Sequence, residues 1–266
     1  MDLQLDGKRA FVSGSTRGIG FAVARALAAE GVVVVLHGRS REAVDEAVGR
    51  LRAEVTGAQV SGVAGDVADA AGVQRLVESV QAGGDVDVLV NNVGLFEVKP
   101  FEEVTDEDWQ LFHDVNVMSA VRLSRALLPG MLERGWGRVV LVSSESGVDV
   151  PADMLHYGVT KAAQLALGNG LAKLTRGTGV TVNSVIGGPT YSDGVASAVR
   201  SIAEAQGASE EDVKALIAQR NATSLVQRFL DPAELASLVT YLASPLASAT
   251  NGSALRADGG TLVQVL

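Results

Sequence analysis

The residues Arg9-Ala10-Phe11-Val12-Ser13, followed by Gly14-Ser15-Thr16-Arg17-Gly18-Ile19-Gly20, decide how this chain is read. The first five form a short apolar run with strand character, and residues 21–30 after the glycines have helical spacing. Strand, glycine-rich turn, helix is the order a dinucleotide pyrophosphate needs. Glycines let the backbone turn sharply and let phosphate approach the N–H groups at the helix start. The spacing here is G-x-x-x-G-x-G, and the glycines alone would fit any tight turn between a strand and a helix. The flanking elements give the pattern its weight.

Working outward, Val32-Val33-Val34-Val35-Leu36 is an unbroken apolar run and reads as a buried second strand. An acidic residue near its end would take ribose hydroxyls, but no Asp or Glu lies between Gly31 and Arg41. Arg39 could instead meet a 2′-phosphate, and Arg17 in the first turn could reach the same group. Both could equally be solvated loop residues. The balance favours NADP(H), with NAD(H) as the second choice.

Residues 41–55 form a charged amphipathic helix, and 60–64 a third strand. Asp66 and Val67 follow; the Asp66 carboxylate could accept the adenine amino group or could cap the helix at 69–82. A fourth strand, 86–90, ends at Asn91-Asn92-Val93-Gly94, where small and amide residues would let a cofactor lie against backbone, although such a sequence also makes an ordinary turn. A long helical pattern spans 101–134 with Asn116 inside an apolar stretch, a buried amide that needs a partner. A fifth strand, 138–143, delivers Ser143 and Ser144 to its carboxyl end, where ligands bind in open α/β sheets. No G-x-S-x-G surrounds them, so neither is a hydrolase nucleophile of that type.

Tyr157 and Lys161 stand four residues apart on the next helix, hence on one face. A phenol titrates near 10, and a nearby cation favours the phenolate, which suits proton exchange with an alcohol or alkoxide. A sixth strand at 180–186 ends at Gly187-Gly188-Pro189-Thr190. From about 190 to 224 the composition turns to Ala, Ser and Glu, in the position of a substrate lid or a plain helical excursion. A helix at 232–242 and a short strand near 254–258 complete the chain.

Composition narrows the alternatives. With 266 residues, 47% hydrophobic, 4% aromatic and 30 glycines, the chain fits one α/β domain covering 1–266, with apolar strands under close-packed helices. A formal charge of −9, from 31 acids and 22 bases, argues against nucleic acid or an anionic membrane as partner. There are no cysteines, and His37, His113 and His156 lack metal-ligand spacing, so no metal is expected. No signal-type segment or membrane-length run is seen, which reads as a cytoplasmic protein acting on a small molecule.

Taken in order, the glycine turn, Asn91-Asn92, Asn116, Ser144, Tyr157 and Lys161 make the chain resemble the short-chain dehydrogenase/reductase family, including its 3-oxoacyl-(acyl carrier protein) reductases. The resemblance spans about residues 5–260. It implies a Rossmann-type doubly wound domain with a seven-stranded parallel sheet and three helices on each face. It implies that Tyr157 is the general acid/base and that Ser144 bonds the substrate oxygen. Lys161 would hold the nicotinamide ribose and lower the tyrosine, and Asn116 would hold a relay water. Gly14, Ser15, Thr16, Arg17, Gly18, Ile19 and Gly20 would line the cofactor turn. Arg39 would meet the 2′-phosphate, Asp66 and Val67 would hold adenine, Asn92 and Gly94 would lie beside the cofactor, and Pro189 and Thr190 would border nicotinamide. A homo-oligomer, tetramer or dimer, is also implied.

Three departures stand out: Val93 where Ala is usual, Ile186-Gly187-Gly188-Pro189 for Pro-Gly-x-x, and Thr160 for Ser before the lysine. The reaction expected is reversible hydride transfer between NADPH and a ketone. Reduction of a 3-oxoacyl thioester is the alternative substrate class, and a non-catalytic NADP(H)-binding regulator the alternative function. Val148, Val150, Met154, Leu155 and Tyr191 are expected to form apolar pocket walls. His156 is expected to be structural.

Overall fold

The computed structural model describes residues 1–220 and 223–265, and of residues 198, 201, 205 and 218–220 the backbone alone. Seven strands form one sheet: β1 (Arg9–Val12), β2 (Val33–Gly38), β3 (Val60–Ala64), β4 (Val88–Asn91), β5 (Trp136–Ser144), β6 (Gly179–Gly187) and β7 (Ala254–Ala257). Their order is β3-β2-β1-β4-β5-β6-β7, and every neighbouring pair is parallel. This is the doubly wound arrangement that the resemblance implies.

The helices are α1 (Gly18–Ala29), α2 (Arg41–Glu54), α3 (Ala70–Gln81), α4 (Asp106–Phe112), α5 (Ser119–Arg134), α6 (Leu155–Leu174), α7 (Asp193–Gln206), α8 (Glu210–Arg220) and α9 (Pro232–Ala243). Strand residues alternate between the two faces, as a pleat requires. Ala10 and Val12 on β1, with Val34 and Leu36 on β2, pack beneath α1, α2 and α9. Phe11 and Val35, the residues between them, enter the second core with α3, α5 and α6. Each central strand is therefore apolar on both sides, which is why the sequence shows unbroken Val runs rather than alternation. Counting α4 and α5 as one interrupted helix, three helices cover each face.

Local chemistry sets most element ends. Ser40 and Asp69 accept the N–H groups of Ala43 and Gly72 at the starts of α2 and α3. Thr105 with Asp108, and Asp231 with Glu234, form capping boxes at α4 and α9. Asp69 thus takes the cap that was open to Asp66. Val32 falls outside β2 because its N–H closes the end of α1 on the Leu27 carbonyl. β5 and β6 outrun their apolar cores because they pair over nine residues, from Trp136 opposite Gly179 to Ser144 opposite Gly187.

After β1 the chain passes to α1 on one face; after β4 it passes to α4 and α5 on the other. The carboxyl ends of these adjacent strands therefore border a crevice, where such sheets bind ligands. The segment after β6 leaves the sheet as α7 and α8, held together by a small core of Val199, Ala203 and Val213 with Tyr191, Val195 and Ile217 packed on it. A single bridge between Thr190 and Leu230 pins its base. Positions 221 and 222 of the expected lid lie outside the described residues. Among the described residues no helix is long and apolar enough to cross a membrane, and no group of three or more His, Asp or Glu side chains is placed to hold a metal ion.

Candidate active site

The glycine turn is shaped by close approach. Gly14 and Gly18 take φ values of +62° and +59°, where a Cβ is strained. A Cβ on Gly20 would stand 2.3 Å from the Gly14 carbonyl oxygen and 2.4 Å from Asn92 Nδ2. Asn92 Nδ2 donates to the carbonyls of Ser13 and Gly14 at 3.1 and 2.9 Å. Ser15 Oγ donates to the Val12 carbonyl at 2.7 Å and accepts the His37 N–H at 2.9 Å. Ser15 and Asn92 were expected to contact a cofactor, yet both side chains are used to hold the turn. Thr16 and Ile19 remain at its partly exposed rim.

His37 is a clamp that sequence reasoning missed. It is 1% exposed; Nδ1 accepts the Gly14 N–H at 3.0 Å, and Nε2 stands 3.0 Å from the Gly65 carbonyl. Accepting at Nδ1 places the ring proton on Nε2. Burial pushes the imidazole below its ordinary value, against the opposing pull of the Gly65 carbonyl and the Asp66 charge. Its position at the end of β2 was the available signal.

The start of α1 already attracts an anion. Asp193, the first residue of α7, accepts the Gly18 N–H at 2.6 Å, so a carboxylate oxygen stands where a phosphate oxygen could. Arg17 and Arg39 are exposed and have no partner among the described residues. Nearby cations differ: Arg41 pairs with Asp45 at 2.6 Å, and Arg50 stacks on Phe21 at 3.5 Å. A Cβ on Gly38 would meet Thr16 Cγ2 at 2.6 Å, so Arg39 and Arg17 leave adjoining pieces of backbone. Asp66 is exposed and accepts the Ala68 N–H at 2.9 Å, whereas the Val67 side chain is buried in the second core. The Pro189 carbonyl accepts the Leu230 N–H at 2.8 Å, and Thr190 Oγ1 donates to the Gly188 carbonyl at the same distance.

Asn116 lies in a π-helical turn, His113–Met118, between α4 and α5. The wider turn turns its amide off the helix. Oδ1 accepts the Leu95 N–H at 2.7 Å, while Nδ2 donates to the Leu95 carbonyl at 3.0 Å and to Thr160 Oγ1 at 2.9 Å. Its backbone carbonyl accepts Gln164 Nε2 at 2.6 Å, and Gln164 Oε1 accepts from Lys161 Nζ at 3.1 Å. The Gln164 side chain thus joins Lys161 to the Asn116 backbone. Gln164 was also missed; a polar residue on the small-residue face of the tyrosine helix was the signal.

Tyr157 and Lys161 share a face of α6 as expected, with Nζ 5.6 Å from the phenol ring centroid. Lys161 is buried and donates to the Val142 carbonyl at 3.0 Å. Burial lowers it to about 8, while the Glu145 charge pulls the other way. Burial also pushes Tyr157 above its ordinary range; the Ser144 hydroxyl opposes this and the Glu145 charge adds to it. Lys161, expected to lower the tyrosine, is not among the influences on it here; burial sets the direction of the shift. Gly94 faces the pair: a Cβ there would stand 3.3 Å from Lys161 Nζ and 3.7 Å from Asn116 Oδ1.

Ser144 ends β5, and its Oγ donates to Glu145 Oε2 at 2.6 Å while accepting the Ser146 N–H at 3.1 Å. Glu145 was not anticipated, although an acid beside a serine at a strand end is visible in the sequence. His156 is structural, fully buried with its ring 4.2 Å from that of Phe112. Val148, expected among the apolar walls of a substrate pocket, lines a cavity of about 460 Å³ with Leu165, Ile186, Leu238 and the C-terminal Leu262 and Val265. Together, Ser144, Tyr157 and Lys161 can hold an anionic oxygen and exchange one proton with it.

A family model described as enoyl-(acyl carrier protein) reductase matches residues 14–261. The chain is 44% identical over 263 residues to the uncharacterized oxidoreductase YvrD of Bacillus subtilis, covering 98% of this chain and 99% of the relative. It is 31% identical to the 3-oxoacyl-[acyl-carrier-protein] reductase FabG of Vibrio cholerae, over 97% of this chain and 98% of that one. Among solved structures, the L-sorbose reductase of Gluconobacter frateurii, complexed with NADPH and L-sorbose, aligns over the whole of both chains with a TM-score of 0.94 and 34% identity. With this fold and these matches along nearly its whole length, the chain belongs to the short-chain dehydrogenase/reductase family of oxidoreductases.

Proposed function

We propose that the protein catalyses reversible hydride transfer between NADP(H) and a ketone or secondary alcohol, with Tyr157 as general acid/base. The observation that carries this reading is the convergence of Tyr157, Lys161 and Ser144 from α6 and β5 at the carboxyl edge of the sheet. When bound, the reduced nicotinamide supplies the hydride. Tyr157 gives its proton to the oxygen that gains negative charge, and Ser144 stabilises the same oxygen. Lys161 holds positive charge below the phenol and offers a donor to a ribose hydroxyl. Asn116 and Gln164 fix the lysine in place.

The glycine turn fits a pyrophosphate: Gly20 lets the turn close tightly where a side chain would clash, and Gly18 already donates to an anion. Gly14, Thr16, Gly18, Ile19 and Gly94 would line the coenzyme, Asp66 and the Val67 backbone would receive adenine, and Pro189 and Thr190 would border the nicotinamide. Arg17 and Arg39, exposed and unpartnered among the described residues, support NADP(H) over NAD(H). The NADPH held by the L-sorbose reductase and by an actinorhodin polyketide ketoreductase of TM-score 0.88 points the same way. A homo-oligomer in the cytoplasm belongs to the same proposal.

A second substrate class, 3-oxoacyl thioesters, is favoured by the likeness to FabG and, at 36% identity, to a monensin polyketide synthase putative ketoacyl reductase. The test is consumption of NADPH, and separately NADH, with ketones, keto-sugars, diketones and 3-oxoacyl thioesters. Faster turnover with NADPH on any of these supports the reading, and the best substrate selects the class. Faster turnover with NADH overturns the coenzyme assignment. Tight coenzyme binding with no turnover across the panel favours a non-catalytic regulator.

A further inference from the structure

Glu145 has no task in the chemistry proposed above, yet it sits at its centre. Ser144 carries a single proton, and here that proton is directed to Glu145 Oε2 at 2.6 Å. One serine lone pair is taken by the Ser146 N–H at 3.1 Å. While this arrangement lasts, Ser144 has no proton for a substrate oxygen, and its remaining lone pair faces the Tyr157 phenol. That polarity does not help an alcohol, whose one O–H proton goes to Tyr157. It opposes a ketone, whose oxygen needs a donor.

We propose that Glu145 is a positioning residue that sets the polarity of the Ser144 hydroxyl and so gates the reaction, in both directions, by its own protonation. With Glu145 ionised, the serine proton is held away from the reacting oxygen and the transition state loses a donor. With Glu145 protonated from solvent, its own O–H donates to Ser144 Oγ, and the serine proton is released towards a ketone oxygen. Glu145 makes no bond to substrate; only its proton moves, between the carboxyl and water. The inference rests on the ketone–alcohol reading above.

The surroundings make the protonated form accessible. Burial pushes the Glu145 carboxyl up, and the hydrogen bonds from Ser144, from its own N–H and from Ser146 only partly offset this. The titratable groups facing it are Tyr157 and Lys161 on α6, each of which feels its charge. Its own turn adds the hydroxyls of Ser144 and Ser146, the latter at 3.4 Å from Oε1, and β6 beside it contains no ionisable side chain.

The test is the pH profile of kcat/KM in both directions for the native enzyme, Glu145→Gln and Glu145→Ala. The native enzyme should lose ketone reduction as pH rises through an ionisation above the ordinary carboxylate range. Both variants should be flat over that interval and, above it, reduce ketone about tenfold faster than the native enzyme, the scale of one charge-assisted hydrogen bond. Their alcohol oxidation should rise by a similar factor, because both directions pass through one transition state. Variant profiles that follow the native one overturn the inference.

A readout without turnover keeps it separate from the functional reading. The Glu145 carboxyl, identified by ¹³C NMR against Glu145→Gln, should titrate above the ordinary 4.5 and rise further in Ser144→Ala. An ordinary titration, unmoved by Ser144→Ala, also overturns it. Turnover that survives Tyr157→Phe sinks the functional reading instead, leaving the carboxyl titration to decide the role of Glu145.

Discussion

Replacing Arg39 with alanine removes a guanidinium that stands exposed at the end of β2 without a partner among the described residues. Gly38 lies against Thr16, so this arginine and Arg17 border the same side of the glycine turn. A guanidinium on a 2′-phosphate makes charge-assisted, often bidentate hydrogen bonds. At an exposed site their worth falls at the low end of the range for charged groups, ~1.5–2 kcal/mol. At ~1.4 kcal/mol per factor of ten, Kd for NADPH should rise roughly 10–30-fold. NADH has no 2′-phosphate, so its Kd should move by less than about twofold, and added salt should narrow the gap between the coenzymes. Fluorescence titration of both coenzymes measures this directly. Equal weakening of NADPH and NADH would refute the reasoning, because the arginine would then act on shared parts of the coenzyme or on the fold. No change in either would refute it as well.

Three other outcomes follow from the site. His37 resists protonation when folded, so its contribution to stability is complete above the ordinary histidine value of 6.5 and is lost as pH falls towards its lower folded value. Thermal unfolding should show that acid loss, reduced in His37→Asn; superimposable profiles would contradict it. Gly20→Ala puts a methyl 2.3 Å from the Gly14 carbonyl oxygen and should cost ~1–3 kcal/mol with weaker coenzyme binding, whereas Gly49→Ala, with nothing within 4 Å on exposed α2, should stabilise by ~0.5–1 kcal/mol. Denaturant midpoints that rank the two variants the other way would contradict this. Gln164→Leu removes the amide linking Lys161 Nζ to the Asn116 carbonyl and should cost ~1–3 kcal/mol in denaturant unfolding; a loss below ~0.5 kcal/mol would mean the bridge carries little.

Much of this fold could be read from one dimension. The Val run of β2 and the glycines before α1 are local signals, and the caps at Ser40, Asp69, Thr105 and Asp231 act within a few residues. The i, i+4 spacing alone put Tyr157 and Lys161 on one face. What the sequence did not reveal depends on partners far along the chain. His37 meets Gly14 and Gly65, Gln164 meets Asn116, and Asp193 meets Gly18. No periodicity reports such pairings. The π turn around Asn116 was hidden for the same reason, since it is fixed by hydrogen bonds to Leu95 and Thr160. Glu145 was visible as a residue, but its orientation towards Ser144 was not. Ser15 and Asn92 show the converse: the sequence reads them as coenzyme contacts, and their side chains hold the turn itself.

The central claim is that Tyr157 supplies and takes the proton while other residues hold the coenzyme. Tyr157→Phe removes one oxygen from α6 and leaves Lys161, Gln164 and the glycine turn unchanged. Measured on one preparation, NADPH Kd should stay within about twofold, while kcat/KM for ketone reduction falls roughly a thousandfold, within the usual range for losing a general acid. Near-native turnover in the phenylalanine variant would contradict the account.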